Sequence, residues 1–184
     1  HRPVGPGQVN GENGVWAILD HAAGKEGAAI VRACGTAADS FGRKAFILLT
    51  APRSAWPRLL GLARENGADR VFCLDTQGQA LSERGKLQVL RSLGRGQDRE
   101  FLIAGPGWTR AFGMFAGERA ATGRVSQLIA NVNSMAAGHA GGLLLQSPCY
   151  GGRLVRQESA GAVDAYLTMA MTAELPGPDL AKDC

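Results

Sequence analysis

Residues 102–124 read LIAGPGWTRAFGMFAGERAATGR. An apolar run enters a Gly-Pro-Gly turn, and an Ala- and Gly-rich helix follows. Strand, glycine turn and helix also make up a dinucleotide-binding loop, where G-x-G-x-x-G brings the backbone close to a pyrophosphate. Gly105 and Gly107 fill the first two positions, but Arg110 stands at the third. No acidic residue follows at the distance that would meet a ribose. The phosphate-loop pattern ending in Gly-Lys-Ser/Thr is absent from the chain. A packing reading fits better. Gly113, Gly117 and Ala121 recur every four residues and share one helix face. That stripe predicts a helix backbone lying close to a sheet. Thr109 is placed to cap the helix, its side-chain oxygen accepting from a first-turn N–H.

Outward from this stretch, strands and helices alternate. VWAILD (15–20) is a short apolar run and reads as a buried strand. Ile30, Val31, Cys34, Ala37, Ala38 and Phe41 recur at helical spacing, and Gly42 is placed to close that helix. KAFILLT (44–50) is the next strand, and Pro52 and Pro57 mark the loop after it. Leu59, Leu60, Leu62 and Ala63 give the next helix its apolar face, ending near Gly67. A strand is predicted over 70–75, a helix over 81–93 with Leu87, Leu90 and Leu93 on one side, a strand over 100–105 and a helix over 111–121. Near-continuous apolar strands separated by helices predict a doubly wound, mainly parallel α/β sheet with helices on both faces. Beyond 124 the helical period is lost. Segments 125–132, 142–146 and 164–171 read as strands, with an Ala/Gly-rich turn between the first two and the last closing the sheet. Residues 1–14 read as a Gly/Pro-rich tail, 15–172 as one domain and 173–184 as a second tail.

The bulk numbers fit one globular domain: 184 residues, 45% apolar and 20% charged. A net charge of +4, spread along the chain without an aromatic-basic cluster, argues against nucleic acid as a partner. No apolar stretch approaches the ~20 residues that span a bilayer. Of the four cysteines, Cys34 and Cys73 read as small core residues, Cys149 lies in a Pro/Gly turn and Cys184 is the last residue. No two form a C-x-x-C pair, which predicts a reduced, cytoplasmic protein.

Open α/β sheets bind ligands beyond the carboxyl ends of their strands. Asp20, His21, Thr50, Gly105 and Arg110 fall there and are the candidate cofactor-binding residues. Asp75 also ends a strand; Asp20 and Asp75 could equally cap the following helices. His139 has no partner at metal spacing, so no metal site is expected. Ser147 lacks the G-x-S-x-G surroundings of a nucleophile, and no catalytic set assembles.

Three stretches resemble the N-terminal domain of the electron transfer flavoprotein alpha subunit. ENGADRVFCLD (65–75) resembles that family's Gly-Ala-Asp stretch leading into a strand. FLIAGPGWTRAFGMFAGERAATGR (101–124) resembles its strand, glycine turn and Ala-rich helix ending in Thr-Gly. SPCYGG (147–152) resembles its Arg-Pro-x-Tyr/Phe-Gly-Gly turn, with Ser147 in place of the Arg. Gln127 stands near the place of a family acidic residue, and MTAELPGP replaces the closing Arg-Pro-Gly stretch. The resemblance spans 15–171 and implies an adenine nucleotide alpha hydrolase-like fold. It also implies a scaffold that pairs with a beta-type subunit as a heterodimer in flavin-dependent electron transfer. In the family, FAD sits mainly in a second, C-terminal domain that these 184 residues do not contain, and AMP belongs to the beta subunit. No cofactor is therefore expected on this chain alone, and FAD is expected in the intact complex. A homodimer of the isolated domain stays open. The competing reading is a stand-alone adenine-nucleotide-binding domain, with its ligand near Asp20, His21, Thr50 and Gly105.

Overall fold

The computed structural model describes residues 13–21, 23–94, 99–138, 142–149, 154–160 and 164–169, with the backbone alone at 25, 149 and 154–160. His139, Cys184, the turn at 150–153, the tail from 173 and all but two residues of the tail before 15 lie outside them. The chain runs β1 (Gly14–Asp20), α1 (Lys25–Phe41), β2 (Lys44–Ala51), α2 (Trp56–Glu65), β3 (Arg70–Asp75), α3 (Glu83–Leu93) and β4 (Phe101–Ala104). It continues through α4 (Thr109–Ala121), β5 (Ser126–Val132), β6 (Ser134–Ala137), β7 (Leu143–Cys149), β8 (Leu154–Ala160) and β9 (Asp164–Met169).

Six strands form one sheet in the order β3-β2-β1-β4-β9-β5, and every pairing in it is parallel. This is the doubly wound α/β fold. Residues on β1 and β2 alternate between two apolar layers, as the two-residue pleat requires. Val15, Ala17, Leu19, Ala45, Ile47 and Leu49 meet α1 and α2 on one face. Trp16, Ile18, Phe46 and Leu48 meet α3 and α4 on the other. Strands covered on both faces need apolar residues at successive positions. β4 and β9 accordingly have every residue buried, whereas β3 and β5, at the sheet's ends among the described residues, are mixed.

Local signals set most of the ends. Gly42 closes α1 at φ +63°, in the left-handed region that suits glycine. Ser82 caps α3, its hydroxyl oxygen accepting from the Gly85 N–H at 3.1 Å. Gly14 is required by close approach, since a Cβ there would lie 2.2 Å from the Phe46 ring.

The structure departs from the sequence reading at several points: Pro57, read as loop, lies in the first turn of α2, Cys149, read as turn, ends β7, and four larger differences follow. The small-residue stripe does not choose the face that α4 buries: a Cβ on Gly113 would lie 3.8 Å from Leu128 of β5, but one on Gly117 would meet nothing within 4 Å, and the residues buried are Ala111, Phe112 and Phe115. Two phenylalanines hide far more apolar area than two glycines, so they choose the face. Thr109 is the first residue of α4 and does not cap it, because Pro106–Trp108 forms a 3-10 turn that leads straight into the helix. Its hydroxyl instead donates to the Pro106 carbonyl at 2.9 Å. The turn expected between two strands holds a further strand, β6, and β8 follows β7. Together β6-β7-β8 form a small antiparallel sheet. Leu143 and Leu145 of β7 join the α1 layer, so this sheet occupies the place of a crossover helix between β5 and β9. Finally, β9 does not close the sheet. It lies inside it, between β4 and β5, as its six consecutive buried residues demand.

Candidate functional site

In the parallel sheet all strands point the same way, so the loops after β1, β2, β3 and β4 gather at one end. Asp20 at the end of β1 pairs in register with Thr50 of β2. Two cavities open there. The larger, about 380 Å³, is lined by Asp20, His21 and Thr50 from the first two strand ends, Thr76 after β3, and Lys86 and Trp108. The smaller, about 150 Å³, lies over the junction of β1 and β4 and is lined by Asp20, Glu26 and the Gly105–Gly107 turn. Strand order reverses between β1 and β4, the place where open α/β sheets hold ligands.

Three of the five sequence candidates therefore meet in one cavity: Asp20, His21 and Thr50. Gly105 lines the smaller one, which it shares with Asp20. Arg110 lines neither and is exposed on the first turn of α4. Thr50 is buried, and its hydroxyl reaches the Leu19 carbonyl at 3.4 Å. The loop that carries His21 is held by α2: the Arg58 guanidinium donates to the carbonyls of Ala23 at 2.8 Å and His21 at 3.0 Å. Asp75 serves its own loop, accepting from the Gln77 N–H at 2.9 Å and the Arg53 guanidinium at 2.8 Å.

Lys86 and Trp108 escaped the sequence reading. The Lys86 ammonium donates to the Gly107 carbonyl at 2.7 Å and to Glu83 at 2.9 Å, and lies 5.7 Å from the Trp108 ring centroid. One cation thus ties the first turns of α3 to the Gly-Pro-Gly turn. Neither Gly105 nor Gly107 has a left-handed φ, and a Cβ on Gly107 would meet nothing within 4 Å. The turn is neither a tight joint nor a close approach, so its glycines leave room on the ligand side. No local pattern flags Lys86, but Trp108 lay within the quoted stretch, three residues past the strand-end Gly105.

At the opposite end of the sheet sits a buried ionic cluster. Glu100, its carboxylate fully buried, accepts from the Arg119 guanidinium and the Tyr166 hydroxyl, and Arg124 approaches to 3.8 Å. Asp164 accepts from the Glu100 N–H at 2.7 Å and from Arg124 at 2.8 Å. Burial and the neighbouring Glu100 carboxylate push the Tyr166 phenol well above its ordinary value, so it stays a neutral donor. The hydrogen bond to Asp164 holds the Arg124 guanidinium charged. These groups clamp the starts of β4 and β9.

Cys34 is buried among core residues, its thiol donating to the Val15 carbonyl at 3.3 Å, and burial pushes that thiol far up. Such a thiol is inert. Cys73 packs against the same layer. Ser147 is buried in β7 with its hydroxyl on the Ala130 carbonyl at 3.5 Å. Among the described residues no three His, Cys, Asp or Glu side chains converge as a metal site needs, and no helix is long and apolar enough to cross a membrane. Compared with known proteins, the chain matches no family model and no curated protein is similar to it.

Proposed function

We propose that this chain is the base domain of an electron transfer flavoprotein alpha-type subunit, a cytoplasmic scaffold that pairs with a beta-type subunit in flavin-dependent electron transfer. One observation carries the reading: a set of exposed apolar side chains, here called the strip, on α4 and at β5, two elements packed together where the sheet ends among the described residues. Met114 on α4, Leu128 on β5 and Val125 just before β5 are the exposed large apolar side chains among the described residues, at 45%, 43% and 73%. Leu128 lies over Gly113, 3.8 Å from where its Cβ would be, so helix and strand share this surface. Apolar exposure shared by two packed elements suits a protein partner. The motif stretches of the resemblance support the same reading, since 101–124 forms β4, the turn and α4 beside the strip. On this reading FAD belongs to the assembled complex and not to this chain alone.

Co-expression with the beta-type subunit of the same genome, followed by size-exclusion chromatography with light scattering, tests it. A one-to-one complex is expected, and Met114→Glu/Leu128→Glu should abolish it while leaving the melting temperature of the free chain unchanged. A chain that stays apart from the beta-type subunit, or that binds FAD unaided, overturns the proposal.

A further inference from the structure

We propose that Arg110 determines which partner the strip accepts: its guanidinium receives a carboxylate of the beta-type subunit beside the apolar contact at Met114. This assignment rests on the partner reading and adds to it the charge that the partner presents. Three observations carry it. The first is position. Arg110 is exposed on the first turn of α4 and stands four residues before Met114, which is itself exposed. Residues so spaced are neighbours on one helix face, with about 5–6 Å between their Cβ atoms. Arg110 therefore borders the strip, and it lines neither of the two cavities.

The second observation is charge. From Thr109 to Val132 the charged side chains are Arg110, Glu118, Arg119 and Arg124. Arg91 of α3 neutralises Glu118. Glu100 and Asp164 balance Arg119 and Arg124. Arg110 has no hydrogen bond or ion pair among the described residues, so α4 and β5 offer a partner one uncompensated positive charge. The third observation is that this charge opposes its own helix. The amino end of a helix favours carboxylates and disfavours cations. The first turn of α4 nevertheless holds Arg110 and no acidic residue. A partner carboxylate placed there meets the guanidinium and the helix end together. Protein interfaces are enriched in Arg and ring their apolar centres with polar groups, and charges on that rim act chiefly on the rate of encounter.

Association kinetics of the full chain with the beta-type subunit of the same genome, followed by biolayer interferometry, test the assignment. At about 50 mM salt, Arg110→Gln should slow association about fivefold and Arg110→Glu about twentyfold, while Arg110→Lys, which keeps the charge, should stay near the parent rate. At about 500 mM salt these differences should largely vanish, because the charges are screened. The melting temperature of the free Arg110→Gln chain should not fall, since its helix loses an unfavourable charge. Arg64→Gln removes an equally exposed cation from α2, on the other face of the sheet, and should leave the rate unchanged. A complex whose association rate ignores Arg110→Gln, or slows as much with Arg64→Gln, overturns this assignment and leaves the partner reading standing. Absence of any complex overturns both.

Discussion

Glu100 shows how much a single residue can decide. Its carboxylate is fully buried and holds Arg119, Arg124 and Tyr166 together, and its backbone N–H reaches Asp164. A Cβ on Gly94 would sit 2.5 Å from both Glu100 and Arg119, so the pair is enclosed by backbone as well. Breaking a buried pair from one side leaves the other charge uncompensated. Glu100→Gln should therefore cost about 3 kcal/mol and lower the melting temperature by roughly 6–12 °C for a domain of this size, read by calorimetry. The exposed Arg91–Glu118 pair is the control, and removing both of its side chains should barely move the transition. None of this was legible locally. Glu100 read as the polar start of a strand, because its partners stand 19 to 66 positions away in the chain. Asp20 and Thr50 were legible because a strand end in a parallel sheet has a known address.

At the scale of elements, periodicity located α4 but chose the wrong face. Positions 113, 117 and 121 do share a face, yet Phe112 and Phe115 set the buried one, packing against Tyr166 with ring centroids 6.0 Å and 5.2 Å away. Counting small residues missed what area decides. Gly117→Ala is then expected to stabilise the protein by about 0.5–1 kcal/mol through helix propensity, since its Cβ enters open space. Under the stripe reading the same change would clash. Urea melts of the variant beside Phe112→Ala, expected to lose about 3–5 kcal/mol, decide between the two. The other strands and helices up to 121 lie close to their predicted bounds because each carries one strong period and a clear stop, such as Gly42 or the Ser82 cap. β6 and β8 went unread. β6 is four residues of Ser, Met and Ala with little alternation, and β8 mixes charged and apolar side chains.

For the whole molecule, the parallel sheet and the small antiparallel sheet differ in how they are held. β1, β2 and β4 are buried on both faces. The small sheet is anchored chiefly by Leu143, Leu145 and Met135 against the α1 layer, and β6 is largely exposed. Regions with fewer buried apolar contacts open at lower free energy. Native-state hydrogen exchange should show β6 and β7 amides exchanging through a partial opening while β1 and β2 exchange only with global unfolding. Equal protection in both sheets would mean that they open as one unit.

The place of β9 sets the timetable of synthesis. β4 and β5 leave the ribosome early but are not neighbours; the slot between them waits for a strand paired to β4 across a separation of 64 residues. Until residues 164–169 emerge, the nascent chain holds two unsatisfied strand edges and half of the ionic clamp, with Glu100 lacking Tyr166 and Arg124 lacking Asp164. A polypeptide stalled before β9 would thus present adhesive edges where the finished fold has an interior, and a chaperone would have most to do while residues 133–163 are being made.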